Sequence, residues 1–339
     1  MPLRTRLCDM LGIALPIVGA GTGTIATARL AAAVTNAGGF GMTGAAGDTA
    51  EQVIERVRKI RRLTAGPVGV NVILEVQPAE VIDAILSEGI DVLATGFGDP
   101  ELWIERAHAA GTRVFHRCET PDEAHAAARA GADAVIAQGS DSGGHTGVVP
   151  TFSLVPQVVD AAGETPVLAA GGIADGRGLV AALALGAEGV LIGTRLVASE
   201  ESGAHEVYKR SIVEAGPADS IVTDIFELGW PGRPERVLRN ATTEAWDAEP
   251  EPRVRPSDRP EEIIARRPLV GGELEIPRWF VDTPNVGDEG AVGEMALYAG
   301  PGAGLVQEIL PAGEIIRRLA AEAESAWTAL EVRMVGSQR

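Results

Sequence analysis

Cysteine is scarce in this chain of 339 residues, which contains only Cys8 and Cys118. Two cysteines without paired spacing argue against a disulfide framework and against a cysteine-based zinc site. The His, Asp and Glu residues form no cluster with metal-ligand spacing, so we expect no bound metal. A reducing, cytoplasmic setting is the simplest expectation.

Long apolar runs and an excess of positive charge are also missing. No apolar run is long enough to cross a bilayer. Residues 1–15 carry Arg4, Arg6 and Asp9 in place of the apolar core of a signal peptide. The formal net charge is −18, which argues against nucleic acid and against an anionic membrane surface as partners.

What the chain has is a regular alternation of short apolar runs with longer amphipathic, alanine-rich segments. The apolar runs predict strands at 17–19, 40–42, 68–72, 92–95, 113–116, 134–138, 167–170 and 189–192. The intervening and following segments predict helices at 26–37, 50–63, 78–87, 100–109, 121–130, 154–161, 177–185 and 201–214. Eight strand–helix units predict an α/β fold, a (β/α)8 TIM barrel, with an open doubly wound parallel sheet as the alternative.

The alternation stops after Gly216. The next stretch is rich in proline and mixed charge and holds Trp230, Trp246 and Trp279, which we expect to serve packing or, for one of them, to wall a substrate pocket. We therefore predict a small inserted second domain. The predicted division is a barrel made of residues 1–215 and 290–339, with a small substrate or cap domain at 216–289.

The most informative stretch is the His145 loop, residues 138–147, which directly follows the predicted strand at 134–138. Its glycines let the backbone pass close to a ligand, and His145 stands at its centre. An imidazole in a polar loop at the end of a strand is suited to moving a proton near neutral pH. We expect His145 to be catalytic.

Two glycine turns follow the last two predicted strands. The first glycine turn, residues 170–176, contains Gly172, and the second, residues 192–195, contains Gly193 and Thr194. In a barrel these turns are neighbours on the face that carries the active site, where phosphate often binds to backbone N–H groups. Either turn alone could be an ordinary strand-to-helix connection, but together they predict a phosphorylated ligand.

A polar residue and a small-residue segment complete the set of candidates. Asn71 interrupts an apolar run and is either a hydrogen-bonded core amide or a ligand contact. Residues 19–24 are rich in glycine, but they lack the spacing of a dinucleotide fingerprint. We interpret this segment as a floor of small residues against a flat ring.

With these residues the chain resembles the nitronate monooxygenase family over roughly residues 12–215. The resemblance rests on four motifs, with weaker sequence similarity near Gly232 and Tyr298. The motifs are Gly69-Val70-Asn71, Gln138-Gly139 with Ser142-Gly143-Gly144-His145, the run from Ala169 to Gly176, and Gly193-Thr194-Arg195. The resemblance implies a TIM barrel with a small inserted domain that binds FMN.

Carried over to this sequence, the resemblance implies a set of cofactor contacts and a catalytic histidine, His145. The implied FMN contacts are Asn71, Gln138, Gly143, Gly172, Leu191, Ile192, Gly193 and Thr194. Arg117 would lie near the pyrimidine end of the flavin, where a cation favours negative charge on the ring; the alternative is a solvated arginine at a strand end. Residues 19–21 depart from the family pattern and leave a less bulky wall.

The implied reaction is the oxidation of a nitronate or nitroalkane by O2 to a carbonyl product and nitrite, with His145 as the base. A homodimer is compatible with this expectation. An FMN-dependent NAD(P)H:quinone or enoyl-thioester reductase is the first alternative. A barrel that binds a sugar or nucleotide phosphate without flavin, and a non-catalytic flavin-binding protein, are the others.

Overall fold

The computed structural model describes residues 3–216, 218–269 and 271–336. Eight parallel strands close into a barrel in the order β1-β2-β3-β4-β5-β6-β8-β9. Their bounds are β1 Ile17–Gly19, β2 Phe40–Gly44, β3 Gly69–Ile73, β4 Val92–Gly96, β5 Arg113–Cys118, β6 Ala134–Gln138, β8 Val167–Ala170 and β9 Gly189–Ile192. The predicted (β/α)8 barrel is confirmed, and the open-sheet alternative is wrong because β1 pairs with β9.

Helices surround the barrel and begin where local sequence favours it. Thr49 and Gln52 form a capping box at α3, and Thr120 caps α6 ahead of a proline in its first turn. The helices are α1 Arg6–Leu11, α2 Ala28–Asn36, α3 Ala50–Leu63, α4 Ala79–Ser87, α5 Glu101–Ala109, α6 Pro121–Ala130, α7 Thr151–Ala162, α8 Gly176–Ala184, α9 Thr194–Val197, α10 Glu206–Glu214, α11 Ala241–Ala248 and α12 Ala312–Gly336.

The core has two parts because each strand alternates between an outer and an inner face. The larger cluster joins the outer faces of the strands to the surrounding helices, with residues such as Val70 and Leu93 fully buried. The inner cluster fills the barrel and includes Phe40 and Phe115. Leu7 and Leu11 of α1 belong to it, so α1 closes one end of the barrel and the functional loops occupy the other.

Several element bounds differ from the predicted ones by a few residues, and two of these differences matter for the site. Strand β5 continues to Cys118, so Arg117 lies within the strand and not after it. The helix predicted over 201–214 begins only at Glu206, after the short helix α9. Close packing explains the delay, because a Cβ atom at Gly203 would lie 2.7 Å from the carbonyl oxygen of Thr24.

The region after α10 forms two small antiparallel sheets. Strands β10 (Ser220–Thr223) and β11 (Glu235–Leu238) form one sheet together with β7 (Gly144–His145), which lies in the His145 loop. Strands β12 (Ile263–Leu269), β13 (Gly272–Pro277) and β14 (Glu289–Gly290) form the other. The proposed division at 216 and 289 stays a prediction.

Within the described ranges, no helix combines the length and the apolarity that crossing a membrane requires.

Candidate active site

The two glycine turns lie side by side at the open end of the barrel. Strands β8 and β9 pair in parallel with Ala170 opposite Leu191, so the turns that follow them leave neighbouring strands in the same direction. Gly172 belongs to the first turn and Gly193 to the second. This is the adjacency that the strand order predicts, and it brings together backbone groups that are far apart in sequence.

The backbone of these turns offers donors to an anion. The N–H groups of Gly172 and Gly193 donate no hydrogen bond within the described ranges. Gly172 has φ +72°, a left-handed conformation that favours glycine. Thr194 Oγ1 accepts a hydrogen bond from the Gly300 N–H at 3.1 Å, which leaves the hydroxyl proton of Thr194 available to a ligand. Unpaired N–H groups that converge in this way are typical of phosphate sites.

His145 is held by its backbone and not by its ring. Its residue pair Gly144–His145 forms strand β7, which pairs antiparallel with β11 so that His145 lies opposite Glu235. The carbonyl oxygen of His145 accepts hydrogen bonds from Gln138 Nε2 at 2.9 Å and from Arg117 Nη2 at 3.4 Å. Two of the predicted cofactor contacts, Gln138 and Arg117, therefore lie directly beside the predicted catalytic residue.

Three aromatic rings surround the imidazole. The ring centroid of His145 lies 4.3 Å from that of Trp230, 5.9 Å from that of Tyr298 and 6.3 Å from that of Phe97. Phe97 follows β4 with φ +57°, a conformation in which a non-glycine residue is strained, as is common at functional sites. Sequence analysis missed Phe97, although its place between Gly96 and Gly98 at a strand end was an available signal.

Burial and nearby cations keep the imidazole neutral. Burial, Arg117 and Arg233 lower the pKa of His145 to about 4, although the Pro234 carbonyl, which makes no hydrogen bond of normal geometry with the ring, opposes the shift. The Arg117 guanidinium carbon lies 3.9 Å from the centre of the Phe97 ring, and Arg117 also forms an ion pair with Glu119. At neutral pH, His145 can therefore accept a proton, although with a low intrinsic basicity.

Several polar atoms at this end of the barrel are buried without a partner. They are Arg117 Nε, Ser142 Oγ and both ring nitrogens of His145. Buried polar groups are normally hydrogen-bonded, so unpaired atoms grouped around one opening are available to a ligand or to ordered water. In the described part of the chain, no three His, Cys, Asp or Glu side chains are placed to hold a metal ion.

The remaining predicted contacts also lie around this opening or just below it. Asn71 is half-buried in the middle of β3, and its side chain makes one long hydrogen bond, from Nδ2 to the Ala94 carbonyl at 3.4 Å. A Cβ atom at Gly21 would lie 2.6 Å from Asn71 Cβ, so the segment 19–24 packs on this part of β3. Leu191 lines the barrel interior, whereas Ile192 faces the helices.

Gly143 sits where two backbones cross. A Cβ atom at this position would lie 2.7 Å from the Ala299 Cα atom, which explains why only glycine fits here. His116, in contrast, is buried on the outer face of β5, between the barrel and its helices, with Nδ1 2.8 Å from Thr95 Oγ1.

Comparison with known proteins places these features in context. The family described as "Nitronate monooxygenase" matches residues 4–81 and 73–322. The chain is 38% identical over 247 residues to the (3aS,4S,5R,7aS)-5-hydroxy-7a-methyl-1-oxo-octahydro-1H-indene-4-carboxyl-CoA dehydrogenase of Mycobacterium tuberculosis, over 72% of this chain and 68% of that protein. FabK from Thermotoga maritima has a similar structure, with a TM-score of 0.79, 35% identity, and coverage of 97% of this chain and 98% of that one. The corresponding values for nitroalkane oxidase from Streptomyces ansochromogenes are 0.74, 32%, 96% and 99%.

Proposed function

Because the chain belongs to the nitronate monooxygenase family and is thus an oxidoreductase, we propose that it uses FMN and O2 to oxidise alkyl nitronates or nitroalkanes to a carbonyl product and nitrite. The observation that carries the proposal is His145, whose two ring nitrogens are buried without a partner beside the glycine turns. A nitroalkane oxidase that is 32% identical to the chain supports nitro compounds as substrates.

The residues around the opening fit FMN. The N–H groups of Gly172 and Gly193 and the Thr194 hydroxyl would hold the phosphate. Asn71, Gln138 and Arg117 would contact the polar edge of the ring, and the unpaired Arg117 Nε is a donor for it. Bound FMN would supply the acceptor for the substrate electrons and pass them to O2.

The protein contributes a site for an anion and a proton acceptor. Arg117 and Arg233 both lower the pKa of His145 through their charge, so the field at the imidazole favours a negatively charged nitronate over a cation. A neutral nitroalkane must first lose the proton of its α-carbon, and neutral His145 is placed to receive it. Phe97 and Trp230 flank the imidazole and exclude water from it.

A low pKa makes His145 a weak base, and this separates the two kinds of substrate. The nitronate already lacks the α-proton, so its oxidation does not need the imidazole as a base. The nitroalkane does need it. We therefore propose that the nitronate is the better substrate and that His145 matters mainly for the nitroalkane.

An FMN-dependent reductase that takes hydride from NAD(P)H and delivers it to a quinone or an enoyl thioester is the second candidate. The relative named as a carboxyl-CoA dehydrogenase supports a coenzyme A thioester as the class of substrate. The two candidates differ in what reduces the flavin. Rapid anaerobic bleaching by NAD(P)H supports the reductase, and bleaching by a nitronate alone supports the oxygenase.

The direct test is a His145→Ala variant compared with His125→Gln, a change in α6 at an exposed histidine that bonds the Ala161 carbonyl. We expect purified wild type and both variants to show flavin absorption bands and to release FMN on denaturation, identified by chromatography against FMN and FAD. His145→Ala should slow nitroalkane turnover far more than nitronate turnover, whereas His125→Gln should change neither. Equal losses on both substrates would remove the role as base, and a colourless protein that does not take up FMN would overturn the proposal.

A further inference from the structure

Glu235 is a buried carboxyl group that the proposed reaction does not use. It is the first residue of β11, its side chain is 1% exposed, and no basic side chain pairs with it in the described ranges. It lies directly opposite His145 in the pairing of β11 with β7. Opposite residues of an antiparallel pair have Cβ atoms about 5 Å apart on the same face of the sheet.

The hydrogen bonds of Glu235 reveal its protonation state. Oε1 accepts from the Phe226 N–H at 2.9 Å, and Oε2 lies 2.8 Å from the Tyr298 hydroxyl. The same hydroxyl lies 2.8 Å from the carbonyl oxygen of Val281. A hydroxyl has one proton, and a carbonyl oxygen can only accept. Both contacts of Tyr298 are hydrogen bonds only if Glu235 is a carboxylic acid that donates to Tyr298, while Tyr298 donates to Val281.

This chain of hydrogen bonds ends beside the imidazole. The Tyr298 ring centroid lies 5.9 Å from that of His145, and the Tyr208 hydroxyl donates to the Tyr298 carbonyl at 2.5 Å, which fixes the tyrosine from the other side. Among the residues that the structure describes, no carboxylate bonds either ring nitrogen of His145. A catalytic base is commonly oriented by a third group, and here the group on the same face is Glu235.

We propose that Glu235 is a positioning residue for His145: as a carboxylic acid it fixes the Tyr298 ring against the imidazole, and as a carboxylate it strengthens His145 as a base. The second part rests on the proposed function. Glu235 loses its proton to solvent, and no bond to carbon forms or breaks. The negative charge then lies next to an imidazole whose charged neighbours are both cations, so proton uptake by His145 becomes easier.

The groups that face this pair set the pH range of the effect. Burial raises the pKa of Glu235 to about 8, the hydrogen bond that Tyr298 can donate to the ionised carboxylate opposes the shift, and Asp224 adds to it. Burial, Glu235, Tyr208 and Asp282 raise the pKa of Tyr298, so the phenol stays protonated throughout.

A carboxylic acid can be seen directly, without any assay of activity. We expect the infrared spectrum of the purified protein to show one protonated-carboxyl C=O band that disappears between pH 7 and 9 and is absent from Glu235→Gln. Glu227→Gln is the matched control, because Glu227 lies in the same inserted region but bonds Arg255 and the Ser257 N–H. The band should persist in that variant. A wild-type spectrum without the band at pH 6.5 would overturn the inference.

Histidine NMR then tests the link to His145. With histidine isotope-labelled and the His145 signals assigned from a His145→Gln spectrum, the wild type should show a shift of these signals centred near pH 8. Glu235→Gln should lose that shift, and Glu227→Gln should keep it. Identical His145 titrations in wild type and Glu235→Gln would overturn the proposal. If nitroalkanes are not turned over at all but the band and the shift are both observed, the proposed function fails and the coupling of Glu235 to His145 stands.

The kinetic prediction separates positioning from structural support. In the wild type, kcat for a nitroalkane should rise through pH 8 while its KM stays constant, and Glu235→Gln should give a flat profile. A parallel fall of kcat at every pH in Glu235→Gln would indicate structural support alone and refute the positioning role.

Discussion

Replacing Glu235 by glutamine should make the protein more stable than the wild type, by a margin that grows as the pH rises. Glutamine keeps the shape of the carboxylic acid: its oxygen can accept from the Phe226 N–H and its amide can donate to the Tyr298 hydroxyl. It cannot ionise. The wild type, in contrast, must either hold a proton on Glu235 at neutral pH or bury an unpaired charge.

The size of the effect follows from the pKa of Glu235. This value is about 8 in the folded protein and 4.5 ordinarily, so the stabilisation from the bound proton is complete below pH 4.5 and is lost as the pH rises to 8. Each pH unit in this window changes the free energy of unfolding by about 1.4 kcal/mol. Over the whole window, the wild type should lose up to about 5 kcal/mol relative to Glu235→Gln.

Urea unfolding followed by tryptophan fluorescence between pH 5 and 9 measures this difference. Glu227→Gln is the control with the opposite sign: burial alone would raise the pKa of Glu227, but Arg255 and Ser257 lower it below its ordinary value. Glu227→Gln should therefore be less stable than the wild type at neutral pH. If the stability curves of the wild type and Glu235→Gln run parallel from pH 5 to 8, Glu235 is ionised in the folded protein and the reasoning is refuted.

Three further predictions concern the site and the barrel. Gly172→Ala should reduce the FMN content of the purified protein at least about tenfold, because its Cβ atom would lie 3.2 Å from Asp141 Cβ at a φ of +72°. Gly163→Ala, at φ +61° in open space, is the control and should keep its FMN. Equal flavin content in both variants would contradict the phosphate site. Trp230→Ala should raise the pKa of His145 from about 4 towards 6.5 in an NMR titration, because burial is the main cause of its shift. An unchanged pKa would assign the shift to Arg117 and Arg233. Burial and Arg117 lower the pKa of His116 to about 4, so the free energy of unfolding should fall as the pH drops from 6.5 to 4. In urea unfolding, His116→Gln should make this fall smaller. If the free energy of unfolding falls equally with pH in wild type and variant, His116 is not the cause.

The sequence was sufficient for the barrel and for its two glycine turns. Buried parallel strands read as continuous apolar runs, so the bounds predicted for 17–19, 134–138, 167–170 and 189–192 match β1, β6, β8 and β9. Strand order alone then predicted that Gly172 and Gly193 are neighbours, because consecutive parallel strands of a barrel end on one face.

Contacts between distant segments could not be predicted in this way. The enclosure of His145 joins Phe97 after β4, Trp230 between β10 and β11, and Tyr298 after β14, and no local periodicity connects these three positions. The helix predicted from residue 201 starts later because Gly203 packs on the Thr24 carbonyl, a constraint set by another loop. Tertiary packing overrides local propensity at such places.

The sequence pattern around Glu235 can be interpreted only once the fold is known. In the run Glu235-Arg236-Val237-Leu238, the period of two places Glu235 on the same face as the fully buried Val237, while Arg236 reaches the Ser140 carbonyl at 2.7 Å. In the sequence alone, the charged pair follows Gly232-Arg233-Pro234 and resembles a solvated turn. Pairing with the two-residue strand β7 turns it inward, opposite His145. A carboxyl group without a cation at such a position keeps its proton through neutral pH, and the loss of this proton at higher pH is what would couple β11 to the proposed base His145.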